Sequence, residues 1–147
     1  MNLNQSEMNE WLLGLRYAVD GDFAALAFRS GDGRQYRWMY TSGGLSGRCE
    51  AMSFRAGQGL GGQSLRIGRS VIWNPAAPET QRLRGECPLM QAEDLRSAIT
   101  VPVVIDGQGY GVLAVGSRKD RLFGRGDADL VERQGERLGK GMGQPFK

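Results

Sequence analysis

The glycine-rich stretch at residues 54–74, FRAGQGLGGQSLRIGRSVIWN, decides the fold because it joins a turn, a short helix and a strand. Its glycines let the backbone adopt left-handed or crowded conformations that other residues rarely adopt. We predict a helix over residues 60–67 with Gly68 as its C-terminal cap, and then a strand at Val71–Trp73. The helix start leaves free backbone N–H groups and the positive end of the helix dipole at one spot, which suits an anion. The same features also make an ordinary tight turn, so this stretch alone leaves both interpretations open.

The segment before this stretch predicts a helix, a hairpin and a third strand. Apolar residues at helical spacing predict an amphipathic helix over residues 5–19. FAALAFR predicts a buried strand at Phe23–Arg29, and a turn at residues 30–33 leads into a second strand over residues 35–41. Alternation along the second strand predicts three aromatic side chains on one face: Tyr36, Trp38 and Tyr40. The indole N–H of Trp38 needs a partner if the side chain is buried.

The next segments predict loops and short helices. Residues 42–47 predict a loop, residues 48–52 a helical turn, and Ser53–Phe54 a third strand. Residues 79–85 are polar and predict a short helix or a loop. Pro88 suits the first position of a helix, so we predict another short helix over residues 88–93. The start of that helix would provide a second set of free backbone donors.

The C-terminal part predicts a hairpin and a closing helix. AITVPVVI at residues 98–105 and YGVLAVG at residues 110–116 flank a turn at residues 106–109. Pro102 cannot donate a ladder hydrogen bond, so we expect it at a sheet edge or a bulge. We expect Asp127 to cap a final helix that reaches about residue 138 and is ended by three glycines, Gly139, Gly141 and Gly143.

Composition limits the classes of protein that the chain can belong to. Its 147 residues predict a single domain, residues 1–147. The net charge is +3 and the basic residues are scattered, so we expect no nucleic-acid partner. The sequence has no apolar run of membrane-spanning length and no signal-peptide pattern, so we predict a soluble cytoplasmic protein without a membrane partner.

Two features of composition argue against an enzyme. The sequence has no histidine, which removes the commonest general base and the commonest metal ligand. Cys49 and Cys87 form no CxxC pair, and a buried apolar role is the expectation for each. We therefore predict no catalytic turnover, no catalytic residues, no metal and no cofactor.

The order of elements predicts an α+β fold. We expect an antiparallel sheet of five to six strands, with the terminal helices on one face and short helices and loops forming a ligand pocket on the other. Three segments as a set resemble the GAF domain family: residues 54–74, residues 97–117 (SAITVPVVIDGQGYGVLAVGS) and residues 123–139 (FGRGDADLVERQGERLG). The resemblance implies a GAF-like fold and a ligand sensor with a role in signal transduction.

The chain more specifically resembles the single-domain nitrate receptors of the NreA type. Residues 37–45, RWMYTSGGL, are similar to the W-x-Y-x-S-G-N-L segment of that family, and residues 92–97, AEDLRS, are similar to its A-E-x-L-x-S run. The chain departs from the pattern with Gly44 in place of Asn and with Cys87 in place of an aromatic residue before Pro88. The resemblance implies nitrate in the GAF pocket and a partner sensor histidine kinase, within two-component regulation of nitrate respiration.

Nitrate is a flat, weakly hydrated anion, so backbone N–H groups in a mostly apolar pocket can hold it without a formal cation. We predict that helix starts at Leu60–Gly61 and Leu89–Met90 face each other and that Trp38 adds an indole donor. The candidate ligand-binding residues are Trp38, Leu60, Gly61, Cys87, Pro88, Leu89 and Met90. Ordinary core packing also explains Trp38, Leu89 and Met90.

Three alternatives to the nitrate receptor stay open. One is a free-standing GAF methionine sulfoxide reductase, although the cysteine spacing of that family is absent. Another is a cyclic-nucleotide or tetrapyrrole sensor, and the third is a ligand-free GAF protein-interaction module. In the receptor hypothesis, the terminal helices form a homodimer, the loops at residues 43–48 and 74–86 contact the kinase, and the output passes through that partner.

Overall fold

The chain folds around one antiparallel sheet of six strands in the order β3-β2-β1-β6-β5-β4. The computed structural model describes residues 4–45 and 47–143. The strands are β1 (Phe23–Arg29), β2 (Tyr36–Ser42), β3 (Ser53–Phe54), β4 (Val71–Trp73), β5 (Ser97–Ile105) and β6 (Gln108–Ser117). This architecture confirms the predicted α+β, GAF-like fold. The predicted loop at residues 42–47 includes Ser46, which lies outside the described residues.

Helices cover both faces of the sheet. They are α1 (Gln5–Ala18), α2 (Gly59–Ile67), α3 (Pro78–Glu86), α4 (Pro88–Ala92) and α5 (Arg125–Gly143), with a short 3-10 helix at Cys49–Ala51. One hydrophobic core lies under α1 and α5, and a second core lies between the sheet and the shorter helices α2, α3 and α4. The predicted separation of terminal helices from short helices is therefore confirmed. None of the helices described here combines the length and the apolar character needed to cross a membrane.

The glycines of α2 allow the helix start to approach β3 closely. A Cβ atom at Gly61 would lie 2.6 Å from the Phe54 ring, and a Cβ atom at Gly62 would lie 2.5 Å from the carbonyl oxygen of Arg55. Gly68 ends the helix with φ of +74°, the left-handed conformation expected of a glycine cap. The predicted helix and cap are confirmed, with the helix starting one residue earlier, at Gly59.

A β-bulge corrects the prediction for the aromatic face of β2. Leu26 pairs with Tyr40, but Ala27 pairs with Trp38, so Met39 is an extra residue on β2. Tyr36 and Trp38 pack in the core beneath the short helices, whereas Tyr40 packs against the core beneath the terminal helices. The prediction of three aromatic side chains on one face is therefore wrong, because the bulge reverses the alternation after Trp38.

The structure also corrects both ends of the closing helix. Asp127 is not the N-cap: its carboxylate accepts a hydrogen bond from the Gly124 N–H at 2.8 Å, while Ala128 N–H donates to the Gly124 carbonyl. Gly124 is thus the N-cap residue, and Asp127 satisfies its amide from the first turn. The helix runs on to Gly143 instead of ending near residue 138. A Cβ at Gly139 would lie 2.4 Å from the Val104 carbonyl oxygen, so this glycine brings α5 close to β5.

The β5–β6 hairpin follows the prediction closely. Its turn is the dipeptide Asp106–Gly107, with φ of +52° and +79°, which is the geometry of a tight hairpin turn. Pro102 lies beyond the part of β5 that pairs with β4, which extends only from Ala98 to Thr100. At Pro102 one side of β5 is therefore an open sheet edge, as expected.

Candidate functional site

A cavity of about 330 Å³ lies between β2, β3, the start of α2 and the junction of α3 with α4. Its lining consists of Trp38, Met52, Ser53, Phe54, Gln58, Gly59, Leu60, Gly61, Leu83, Glu86, Cys87, Pro88 and Leu89. Six of the seven candidate residues therefore surround one space. Met90 is the exception: it is 1% exposed, packs in the core and is not part of the lining. A ligand-binding role for the other six stays a prediction.

The start of α2 presents free backbone donors at this cavity. The first hydrogen bond of the helix runs from the Gly62 N–H to the Gln58 carbonyl oxygen at 3.0 Å. The N–H groups of Gly59, Leu60 and Gly61 precede that bond and have no acceptor within the helix. All three residues line the cavity, so this helix start lies beside it.

The start of α4 lies next to the start of α2. A Cβ atom at Gly59 would lie 3.5 Å from the sulfur of Cys87, the residue before α4. Gln91 N–H makes the first helical bond to the Cys87 carbonyl oxygen, which leaves the N–H of Leu89 free at the cavity. Pro88 has no N–H, and α4 has only five residues. The two predicted helix starts do meet, but α4 contributes fewer donors than α2.

Trp38 is buried but keeps an unused donor. Its side chain is 2% exposed and packs on Phe54 with ring centroids 5.2 Å apart. Among the described residues, nothing accepts a hydrogen bond from its indole N–H, and the indole nitrogen keeps some accessible surface. The indole nitrogen therefore reaches the cavity that Trp38 lines. By contrast, the indole N–H of Trp73 donates to the Thr100 hydroxyl at 3.1 Å.

The two cysteines have different surroundings. Cys87 lines the cavity, whereas Cys49 does not. Burial, with added repulsion from the carboxylates of Glu93 and Glu50, raises the pKa of the Cys49 thiol to about 12. Cys49 is therefore held as an unreactive thiol at neutral pH. Among the described residues, no group of three or more Cys, Asp or Glu side chains is placed to hold a metal ion.

A buried ion pair ties the end of α4 to the loop after β2. Glu93 directly follows α4 and is fully buried, and its carboxylate lies 2.9 Å from the Arg118 guanidinium. The same oxygen accepts a hydrogen bond from the Leu45 N–H at 2.8 Å. Arg118 also donates to the backbone oxygens of Gly43 and Asp22. Glu93 therefore connects the helix that starts at the cavity with the loop that contains Gly43 and Leu45.

The sequence analysis missed several residues around the cavity. Phe54 forms one wall, and the stacking of its ring on Tyr36 at 5.6 Å could not be read from their spacing. Gly59 adds a donor that the predicted helix start at residue 60 excluded. Glu86 lies at the cavity because α3 ends directly before α4, and no sequence pattern indicated a carboxylate there.

Several solved structures are similar to this chain. The NreA protein of Staphylococcus aureus, mutated in its nitrate binding site, is 27% identical, with a TM-score of 0.71 over 83% of this chain and 93% of that chain. The GAF domain of a phosphoenolpyruvate-protein phosphotransferase from Coxiella burnetii is 17% identical, with a TM-score of 0.77 over 94% of this chain and 81% of that chain. A free methionine-R-sulfoxide reductase from Neisseria meningitidis, in complex with its substrate, is 20% identical, with a TM-score of 0.73 over 92% of this chain and 75% of that chain.

The family of the chain is assigned by a match to a family model and not by a single related sequence. No curated protein sequence matches the chain significantly. The model of the GAF domain family matches residues 12–141, which includes every strand, the helices α2–α4, the second half of α1 and most of α5. The chain therefore belongs to the GAF domain family.

Proposed function

We propose that the chain is a receptor domain for a small anion, nitrate being the first candidate, and that it modulates a partner sensor histidine kinase. The observation that carries the proposal is the unused Trp38 indole donor at a cavity that also receives the free N–H groups of α2. Neutral donors of this kind suit a weakly hydrated anion that loses its hydration shell at low cost. The similarity to the NreA protein, at 27% identity over 83% of the chain, supports the same ligand.

A thermal-shift panel tests the ligand. Nitrate, nitrite, chloride, a cyclic nucleotide and free methionine sulfoxide are added separately to the purified chain. A ligand at a hundredfold excess over its dissociation constant stabilises the folded state by about 2.7 kcal/mol. For a chain of this size that corresponds to a rise in Tm of roughly 8 °C. We expect such a rise with nitrate, and the absence of a rise at millimolar nitrate would contradict the proposal.

The same panel addresses the alternatives. Stabilisation by methionine sulfoxide would favour a reductase, and stabilisation by no ligand would favour a module that only binds protein. The surroundings of Cys49 argue against the reductase, because a thiol with a pKa of about 12 is a poor nucleophile and Cys87 is then the remaining cysteine. The absence of turnover stays a prediction, which an assay for methionine sulfoxide reduction with a thiol reductant tests.

The signal is proposed to leave through the loops beside the cavity, at residues 43–48 and 74–86. Two features support this route: α3, which forms most of the second segment, contributes Leu83 and Glu86 to the cavity lining, and Glu93 links α4 to Leu45 of the first loop. A ligand that shifts α4 changes the position of Glu93, and the Leu45 N–H follows it. A kinase that contacts these loops then senses the ligand through differential binding.

Hydrogen exchange with and without nitrate tests this route. We expect added protection in both loops, and Glu93→Gln should retain nitrate binding while residues 43–45 stop responding, because the amide cannot pair with Arg118 as an ion. The matched control is Glu50→Gln, an exposed carboxylate on the short helix after the same loop. Protection confined to α1 and α5 in the parent would contradict the proposed route.

The proposal includes a homodimer formed by the terminal helices. Between α1 and α5 lies a shallow groove lined in part by Trp11, Gly14, Ala18 and Leu130, and Tyr17 on α1 is 71% exposed. An apolar surface of this kind is a common basis for a two-fold contact. Light scattering on the purified chain tests it: a monomer mass at micromolar concentration would contradict the dimer, and Trp11→Glu should convert a dimer to monomers.

A further inference from the structure

The charge around the cavity is unusual for an anion site. Among the described residues of the lining, Glu86 is the charged one, and neither lysine nor arginine contributes to the wall. The available donors are neutral: backbone N–H groups, the indole of Trp38, and the polar side chains of Gln58, Ser53 and Cys87. Any bound anion is therefore compensated by partial charges alone.

These partial charges set a limit on the charge of the ligand. A helix start carries at most about half of an elementary charge, and the five residues of α4 reach less than that. The start of α2 and the neutral donors beside it therefore compensate at most about one negative charge. The cost of taking an ion out of water rises steeply with its charge. A doubly charged anion therefore loses more hydration free energy than it gains from the neutral donors of the cavity.

Glu86 makes the limit stricter. It is exposed, ends α3 and directly precedes Cys87, the N-cap residue of α4. As a unit negative charge on the cavity lining, Glu86 repels a bound anion. We propose that the cavity accepts singly charged, weakly hydrated anions and excludes dianions, and that Glu86 is a specificity-determining residue that weakens anion binding. This inference rests on the proposed function, because it assigns the ligand class of the same site.

Calorimetry on the parent chain, Glu86→Gln and Glu79→Gln tests the inference. Glu79 is a matched control because it is an exposed carboxylate of the same helix that lies outside the cavity lining. In low-salt buffer we expect saturable binding of nitrate and none of sulfate by the parent. Glu86→Gln should bind nitrate about threefold more tightly, which is the order of magnitude for removing one exposed unit charge beside an anion in a water-like dielectric. Glu79→Gln should match the parent.

The possible failures point to different errors. Nitrate binding with unchanged or weaker affinity in Glu86→Gln would overturn the role of Glu86, and the weaker affinity would mean that this carboxylate mainly supports the start of α4. Sulfate binding by the parent as tight as nitrate binding would overturn the charge limit. In both cases the proposal that the chain is an anion receptor still holds. Absence of nitrate binding by all three proteins would overturn the proposed function and this inference with it.

Discussion

Replacing Trp38 with phenylalanine separates ligand binding from stability. The change removes the indole N–H that faces the cavity but keeps an aromatic ring against Phe54. A hydrogen bond to a charged group contributes about 1.5–3 kcal/mol. Since 1.4 kcal/mol is tenfold in affinity, we expect nitrate binding to weaken by about 10- to 100-fold. No hydrogen bond within the protein is broken among the described residues, so the stability loss is limited to packing, about 1–2 kcal/mol.

Trp73→Phe is the matched control for this variant. Trp73 is also buried, but its indole donates to the hydroxyl of Thr100, which is itself fully buried. Its loss leaves that hydroxyl unpaired, so we expect a stability loss larger by about 1–3 kcal/mol and an unchanged affinity for nitrate. Urea unfolding measures the stabilities and calorimetry measures the affinities. Equal nitrate affinities of Trp38→Phe and the parent would refute the reasoning. An equal loss of stability in Trp38→Phe and Trp73→Phe would refute it as well.

Two further predictions concern the walls of the cavity. Gly61→Ala should destabilise the fold by about 1–3 kcal/mol, because its Cβ would meet the Phe54 ring at 2.6 Å. Gly14→Ala lies at an exposed site of α1 with nothing within 4 Å, so it should stabilise the fold by about 1 kcal/mol. Urea titrations that rank the two variants in the opposite order would contradict the packing described. Iodoacetamide at pH 8 should modify Cys87 in the folded protein and leave Cys49 intact, because the pKa of Cys49 is about 12. Since Cys87 lines the cavity, peptide mass spectrometry should show that nitrate slows the reaction at Cys87. Modification of Cys49 before Cys87 would contradict the surroundings described for Cys49.

Local patterns were sufficient to predict most of the fold. Helical periodicity, the Gly68 cap and the Asp106–Gly107 turn are encoded by neighbouring residues, and the structure confirms them. The bulge opposite Leu26 and the continuation of α5 through Gly139 depend instead on contacts between distant segments. The sequence predicts a helix end at Gly139 because the close approach of this glycine to β5 is invisible in the sequence.

The candidate site was predictable where it consists of backbone. The two helix starts follow from glycine and proline positions, and they meet at the cavity as expected. The side-chain contacts were not predictable, because Glu93 and Arg118 are 25 residues apart and become neighbours only through the sheet. Met90 is not part of the lining because its side chain packs in the core, a burial that its position in the sequence does not indicate.

The most direct test of the nitrate site is a nitrate titration followed by the ¹H–¹⁵N signals of the folded protein. We predict saturable shifts of the backbone signals of Gly59, Leu60 and Gly61 and of the Trp38 indole signal, with one common dissociation constant. The Trp73 indole signal, whose proton is already bonded to Thr100, should not move. Unchanged signals of Trp38 and α2 at millimolar nitrate, or shifts that never saturate, would contradict an anion held by these donors.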